Sequence, residues 1–240
     1  MFKSKKSKFE FMRYITLAFL SLLSFYSGIA QTDSVKRVKY TPEFQFTSGL
    51  YLDFSQVREN QPIPSVRIIS NDDPTDFNFY RNIVKNKTIG YFDQYGAKQE
   101  IPTANVWGYC QDGKIFIQYN GEFNRLPIIG HVCHFIADVT VIDTHYDPYY
   151  SDYYNSGYYN PYYSRPYNRT TKSQEMRQYL LDFETGKVSD FNRESVLVIL
   201  MQDTELYDEF MKVKKRQQND LLFFFLRRLN EKHPVMIPVR

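Results

Sequence analysis

The chain has 240 residues, of which 42% are hydrophobic and 18% aromatic, and its formal net charge is +3. This apolar content is enough for one ordinary hydrophobic core. Residues 1–30 contain five Lys or Arg and one Glu, so the remaining residues carry a net charge of −1. General nucleic-acid binding depends on a basic face, and we therefore expect no nucleic-acid partner.

Residues 1–30 have the pattern of a secretory signal peptide. A basic stretch precedes an apolar run at residues 15–26, and the small residues Gly28 and Ala30 occupy positions −3 and −1 of a cleavage site before Gln31. The alternative is a signal anchor that stays in the membrane. Cleavage is favoured, because a spanning helix needs about 20 apolar residues and the run at residues 15–26 is shorter. A lipoprotein anchor would need a cysteine near the cleavage site, and the sequence has none there. We expect an exported protein, periplasmic or extracellular, with no stable transmembrane span after cleavage.

The exported chain is predicted to begin with a flexible leader over residues 31–45, followed by a single α+β domain over residues 46–240. Its first elements are a strand at 47–54, a short helix at 56–60 and a second strand at 66–69. Apolar alternation on both sides of Tyr95-Gly96 predicts a hairpin at residues 88–101.

Residues 105–142 predict a β-meander. Asp112-Gly113 and Asn120-Gly121 favour two-residue turns with positive φ. These turns predict the pairs Cys110–Ile115 and Ile115–Leu126, and a tight turn at Ile129-Gly130 predicts two further pairs, Ile128–His131 and Leu126–Cys133.

One face of this meander is predicted to be the core and the other a plain outer face. The outer row contains Tyr109, Phe116, Arg125 and His134. The predicted inner residues are Cys110, Ile115, Ile117, Leu126, Cys133, Phe135 and Ala137.

The two cysteines are predicted to lie three strand spacings apart, about 14 Å, whereas a disulfide needs Cα atoms within about 7 Å. An open sheet therefore favours two buried thiols, and a sheet curled towards a barrel would allow the bond. A metal site at His131, Cys133 and His134 is disfavoured, because strand alternation sends His134 to the opposite face. We expect no metal and no cofactor.

Residues 143–171 form a tyrosine-rich insertion, interrupted by prolines, that is predicted to be a long loop between two strands. Tyrosine rings combine a large contact area with a polar tip, which suits binding of an envelope protein or glycan. The alternative is a tolerated low-complexity insertion. The candidate binding residues are Tyr149, Tyr150, Tyr153, Tyr154, Tyr158, Tyr159, Tyr162 and Tyr163.

Two C-terminal helices are predicted to pack on the sheet. The first covers residues 194–202 and begins at Asn192 or Ser195. The second runs from Asp203 or Thr204 to about Asn230 as one long helix, with Asp208 and Lys212 paired one turn apart. Its apolar stripe consists of Leu222, Phe225, Leu226 and Leu229. The predicted class is therefore α+β: an antiparallel β-meander, open or curled and barrel-like, packed by two C-terminal helices.

Several phrases resemble a family of uncharacterised exported bacterial proteins. They are Gly49-Leu50-Tyr51-Leu52, Trp107-Gly108-Tyr109-Cys110, Tyr179-Leu180-Leu181-Asp182-Phe183-Glu184-Thr185-Gly186 and Asn230-Glu231-Lys232-His233-Pro234. That family brings no established activity, so the resemblance assigns no functional residues, and its pattern does not include the tyrosine-rich segment.

The sequence contains no nucleophile elbow and no phosphate-binding glycine loop. We expect a non-enzymatic binding or structural module of the cell envelope. The alternative is a secreted hydrolase that uses carboxylates scattered in the sequence, which need no local motif. Two facing carboxylates in a deep pocket would favour that alternative.

Overall fold

The computed structural model of the protein describes residues 36–147 and 167–239, without the side chains of residues 143–147 and 167–171. It is a mixed α+β fold with antiparallel sheets and C-terminal helices, as the sequence predicts. The strands are β1 Arg37–Lys39, β2 Gly49–Tyr51, β3 Ile68–Ile69, β4 Thr88–Phe92, β5 Lys98–Pro102, β6 Gly108–Gln111, β7 Lys114–Tyr119, β8 Glu122–Arg125, β9 Val132–Asp147, β10 Tyr167–Asp182, β11 Val188–Asp190 and β12 Met236–Pro238. The helices are α1 Phe54–Arg58, α2 Phe79–Ile83, α3 Arg193–Leu200, α4 Thr204–Lys212, α5 Lys215–Gln218 and α6 Leu222–Lys232.

The described strands form four antiparallel sheets, and none of these closes on itself. Their orders are β1-β12, β11-β10-β9, β2-β6-β7-β8 and β3-β4-β5. The small β1-β12 sheet joins the two ends of the compact unit formed by residues 37–239.

The two predicted glycine turns set the register of β6, β7 and β8. Cys110 pairs with Ile115, and the Leu126 N–H donates to the Ile115 carbonyl at 2.9 Å. Asp112 and Asn120 adopt φ values of 50° and 52°, which a type I′ turn requires. Both predicted registers are confirmed.

The third predicted register is wrong. Ile128 forms its bridge with His134 rather than with His131, and β9 belongs to a different sheet from β8. Pro127 has no backbone N–H to donate to a ladder, so the chain leaves the first sheet after Arg125 and enters the second at Val132.

Three hydrophobic cores separate the layers of the molecule. The central core lies between the β2-β6-β7-β8 sheet and one face of β9 and β10, and it contains all seven predicted inner-face residues. On the other face of β9 and β10, Val132 and Leu180 pack against α3, α4 and α6. The third core covers the far face of the β2-β6-β7-β8 sheet with α2 and β3 to β5.

The prediction of a plain outer face is therefore wrong, because other elements cover the outer faces of both sheets. Tyr109 is buried and stacks on Phe116 with ring centroids 4.7 Å apart, beneath Tyr80 of α2. His134 lies on the opposite side of the molecule from these rings, against the C-terminal helices, and is 7% exposed. Arg125 remains exposed.

Strands β9 and β10 form one hairpin of sixteen residues on each side, with Asp147 paired to Tyr167. The strands run five residues into each end of the tyrosine-rich segment, where the sequence predicted loop. Residues 148–166 connect the two strands and lie outside the described part of the chain.

The predicted second helix is divided into α4, α5 and α6. The break occurs at Val213 and Lys214, whose ψ angles of 137° and 131° are extended. The side-chain amide of Gln218 donates to the carbonyls of Phe210 and Val213, both at 3.0 Å, so it satisfies the end of α4 in place of a further helical turn. The predicted stripe residues Leu222, Phe225, Leu226 and Leu229 are all buried in α6.

Candidate binding cavity

A cavity of about 390 Å³ lies where β1, the β8–β9 connection and α6 meet. Its wall is mainly apolar, and ligand sites are commonly clefts of about 300–1,000 Å³ with such walls. The lining residues on the β8–β9 side are Ile128, Ile129, Gly130, Val132 and His134, with Leu180 from β10. Those from α6 and the chain after it are Phe223, Leu226, Arg227, Asn230, Glu231, Pro234 and Val235. Lys39, Tyr40 and Pro42 complete the wall from the N-terminal side.

Asn230 fixes the end of α6 against the start of β9. Its Oδ1 accepts from the Val132 N–H at 2.8 Å, and its Nδ2 donates to the Val132 carbonyl at 2.9 Å. A Cβ at Gly130 would lie 2.5 Å from Asn230 Cγ, so only glycine leaves room for this contact. Asn230 thereby sets the spacing of two walls of the cavity.

His134 is the buried polar side chain of this cavity. Its Nε2 lies 2.9 Å from Gln178 Oε1, and its ring makes edge contacts with Phe223 and Phe191 at centroid distances of 4.9 and 5.4 Å. Burial lowers the pKa of this imidazole below its ordinary value, so the ring is neutral at neutral pH. Its Nδ1 is buried and has no hydrogen-bond partner among the described residues.

The charged side chains at the cavity are Lys39, Arg227 and Glu231, and all three are exposed. They form a polar rim around an apolar interior. Glu231 is the single carboxylate of the lining. This cavity therefore does not provide the two facing carboxylates that a glycosidase-type mechanism needs.

A second cavity of about 380 Å³ lies over the opposite sheet. Its lining combines the aromatic rings Tyr109, Phe116 and Phe123 with charged side chains, among which Asp112 is the single carboxylate. Within the described residues it has no unpartnered buried polar atom. Its lining is less apolar than that of the first cavity.

An ionic cluster surrounds Asp203 at the start of α4. This carboxylate accepts from the Leu206 N–H at 3.0 Å as the helix N-cap, and from Lys232 Nζ and His233 Nε2, each 2.9 Å from Oδ2. These hydrogen bonds, first from Lys232 and then from His233, hold the pKa of Asp203 well below its usual range. The cluster ties α4 to the end of α6, which is a structural role.

The structure separates the sequence-predicted site residues. Cys110 and Cys133 are buried free thiols, which was the favoured alternative, although the Leu126–Cys133 register used to argue it is wrong. Burial raises the pKa of each thiol to about 12. His131 Nε2 contacts Gln202 Oε1 at 2.7 Å, while His134 faces Gln178. The eight candidate tyrosines, Tyr149 to Tyr163, lie outside the described residues, as do Ala30 and Gln31 of the predicted cleavage site.

The described part of the chain contains no cluster of three or more His, Cys, Asp or Glu side chains placed to hold a metal ion. Within the same residues, none of the helices combines the length and apolar character needed to cross a bilayer. The chain matches no family model, no curated protein and no solved structure.

Sequence reasoning missed this cavity because its walls come from distant parts of the chain. Gln178 and Phe223 lie 44 and 89 positions after His134 and follow the tyrosine-rich segment. One feature of the sequence did indicate a site here. His134 is a single polar residue, between Cys133 and Phe135, in the otherwise apolar beginning of a strand.

Proposed function

We propose that the protein is an exported, non-enzymatic binding module of the cell envelope, and that the cavity at His134 holds a small apolar group of its ligand. The observation that carries this proposal is the cavity itself, with its apolar wall and its polar rim. Ligand sites combine such walls with a few placed polar groups. The signal-peptide pattern of residues 1–30 supports export.

The alternative, a hydrolase with scattered carboxylates, gains no support from the described cavities, because each is lined by one carboxylate. Asp203 and Glu209, which lie outside both linings, are engaged by cations of α6. A binding module needs no such pair of carboxylates, and the apolar wall of the first cavity supports this reading.

Titration of the isotope-labelled chain with small aromatic compounds tests the proposal. We expect amide chemical-shift changes at Gly130, Val132 and Asn230, which lie along the cavity, and none at Asn78 or Lys114, which line the second cavity. Uniform changes, or changes at the second cavity alone, would contradict it.

Two matched variants locate the binding in the cavity. Ile128→Asp places a charge on the apolar wall at a residue that is 44% exposed, and Ile69→Asp makes the same change at a residue that is 39% exposed in β3 and lines neither cavity. We expect Ile128→Asp to abolish the shifts and Ile69→Asp to preserve them. Equal effects of the two variants would remove the cavity from the proposal.

A further inference from the structure

Three charged side chains lie at the rim of the apolar cavity, and their charges do not cancel. They are Lys39 from β1 and Arg227 and Glu231 from α6, and each is exposed. No ion pair joins any of the three to another described residue. Because the rim carries two cations and one carboxylate, its positive charge is in excess.

The other cations of α6 are engaged within the protein. Arg228 pairs with Glu209, and Lys232 pairs with Asp203. Arg227 is therefore the cation of α6 that has no carboxylate partner in the described part of the chain, and it lines the cavity.

The backbone places the two rim cations on separate walls. Lys39 pairs with Met236 in the β1-β12 ladder, which fixes its position relative to the chain after α6. Arg227 lies one helical turn after Phe223, and both line the cavity. A ligand that contacts the Phe223 ring therefore lies beside the side chain of Arg227.

We propose that the ligand of this cavity is a small amphiphilic acid, whose apolar body contacts the wall and whose carboxylate lies at the rim with Lys39 and Arg227. The inference rests on the proposed function and names the ligand chemistry of the same cavity. An anion is favoured over a cation because opposite charges attract across the rim. A volume of about 390 Å³ lies within the range of small-molecule sites.

Glu231 opposes the two cations and gives the assignment a sign that can be measured. It lies one turn after Arg227 on α6 and lines the same cavity. Its carboxylate repels an anion at the rim, so its removal is expected to tighten the binding of an acid. A cationic ligand would respond in the opposite direction.

Three compounds share one shape and differ in charge: 3-phenylpropionate, 3-phenylpropan-1-ol and 3-phenylpropan-1-amine. Amide chemical-shift titration of the purified, isotope-labelled chain at neutral pH measures each dissociation constant, and at that pH the acid is an anion and the amine a cation. We expect the carboxylate to bind about fivefold more tightly than the alcohol, and the amine more weakly than the alcohol. The preference for the carboxylate is expected to shrink at high salt, because salt screens exposed charges.

Substitutions at exposed positions assign this preference to the rim. Lys39→Gln and Arg227→Gln are each expected to weaken carboxylate binding about twofold and to leave alcohol binding unchanged. In the double variant the carboxylate is expected to bind no more tightly than the alcohol. Glu231→Gln is expected to tighten carboxylate binding about twofold. The matched control, Lys114→Gln, removes an exposed cation from the second cavity and is expected to change neither affinity.

The outcomes distinguish this inference from the function on which it rests. Equal binding of the three compounds, or tightest binding of the amine, would overturn the acid and leave an apolar binding cavity. Equal losses in Lys114→Gln and Arg227→Gln would also overturn the acid. Binding of none of the compounds would overturn both. N-acetyl-phenylalanine presents the same ring and a carboxylate as the end of a polypeptide, and tighter binding of it than of 3-phenylpropionate would replace the small acid by a peptide terminus.

Discussion

At the scale of single residues, Asn230 is the side chain on which the cavity wall most depends. Asn230→Ala leaves the part-buried N–H and carbonyl of Val132 without their partners, so we expect the free energy of unfolding to fall by about 1–3 kcal/mol. Urea denaturation measures this change. The control is Asn124→Ala, whose half-buried side chain donates to the nearby Glu122 carbonyl in an exposed setting, with an expected change within about 0.5 kcal/mol. Equal losses in the two variants would contradict the role of Asn230.

His134 also makes stability depend on pH. Burial sets the pKa of the folded imidazole below the ordinary value of 6.5, whereas the unfolded chain titrates near that value. As the pH falls below 6.5 the unfolded state takes up the proton first, so the folded chain loses stability. The full contribution is present above the unfolded pKa.

We therefore expect the free energy of unfolding of the unmodified chain to fall more than that of His134→Phe between pH 8 and pH 5. Urea titrations of both chains across this range measure the difference. The charged groups at the cavity, Lys39, Arg227 and Glu231, are the same in both chains, so their effects cancel in the comparison. Parallel curves would show that His134 does not titrate differently in the folded state.

At the scale of elements, local sequence rules predicted where helices begin, but they did not predict the break that divides the long C-terminal helix. Asp203 caps α4 and Asn192 caps α3, each of them one of the two residues predicted for that position. The predicted pair Asp208–Lys212 is absent from the ion pairs of the described residues, and Glu209 instead pairs with Arg228 of α6. Local spacing cannot predict a partner on another helix, because that choice depends on how α4 and α6 pack.

The break after α4 depends on Gln218, which is 2% exposed. Its amide donates to two carbonyls and its Oε1 accepts from Arg193 Nε at 2.6 Å. Gln218→Leu removes the partner of the Val213 carbonyl and of Arg193 Nε, while the Phe210 carbonyl keeps the Val213 N–H at 3.1 Å. We expect a loss of about 2 kcal/mol in the free energy of unfolding. The neighbouring Gln217 is exposed, so Gln217→Leu is the matched control, with a change within about 0.5 kcal/mol. A similar small change in both would contradict the proposed cap.

The role of the tyrosine-rich segment can be tested by shortening the β9–β10 hairpin that carries it. Asp147 and Tyr167 are paired neighbours, so replacing residues 148–166 by Asn-Gly closes the strands with a two-residue turn. If the segment binds a partner, cross-linking to envelope components is lost while the thermal midpoint of the chain is maintained. Substituting the eight candidate tyrosines by serine keeps the segment's length and is expected to give the same loss. Unchanged cross-linking in both variants would favour a tolerated insertion.

At the scale of the whole molecule, turn chemistry and alternation predicted the central core, and they did not predict what covers it. The inner positions from Cys110 to Leu126 followed from two glycine turns, because each turn fixes which residues pair. Those on β9 followed from strand alternation alone. The cover of the outer face did not follow, because α2 and β3 to β5 approach Tyr109 from earlier in the chain. The aromatic character of Tyr109 and Phe116 was the signal that this face is buried. The cavity at His134 needs three separate layers to meet, which no local pattern encodes.

Export is the prediction that concerns the chain as a whole. Cleavage before Gln31 removes five basic residues and one acidic residue and changes the net charge from +3 to −1. We therefore expect the mature protein from the cell envelope to begin at Gln31 and to focus at a lower isoelectric point than the calculated 8.6. N-terminal sequencing and isoelectric focusing of the envelope fraction measure both.

A matched pair of variants tests the predicted cleavage site. Small side chains are required at positions −3 and −1, and Ala30 occupies −1. Ala30→Leu is expected to block cleavage and leave the longer, more basic chain attached to the membrane. Ile29→Leu, at the unrestricted position −2, is expected to be processed normally. Because the two changes differ by one position, equal processing of both would contradict a cleavage site at Ala30, and an intact N-terminus in the unmodified chain would contradict the signal peptide altogether.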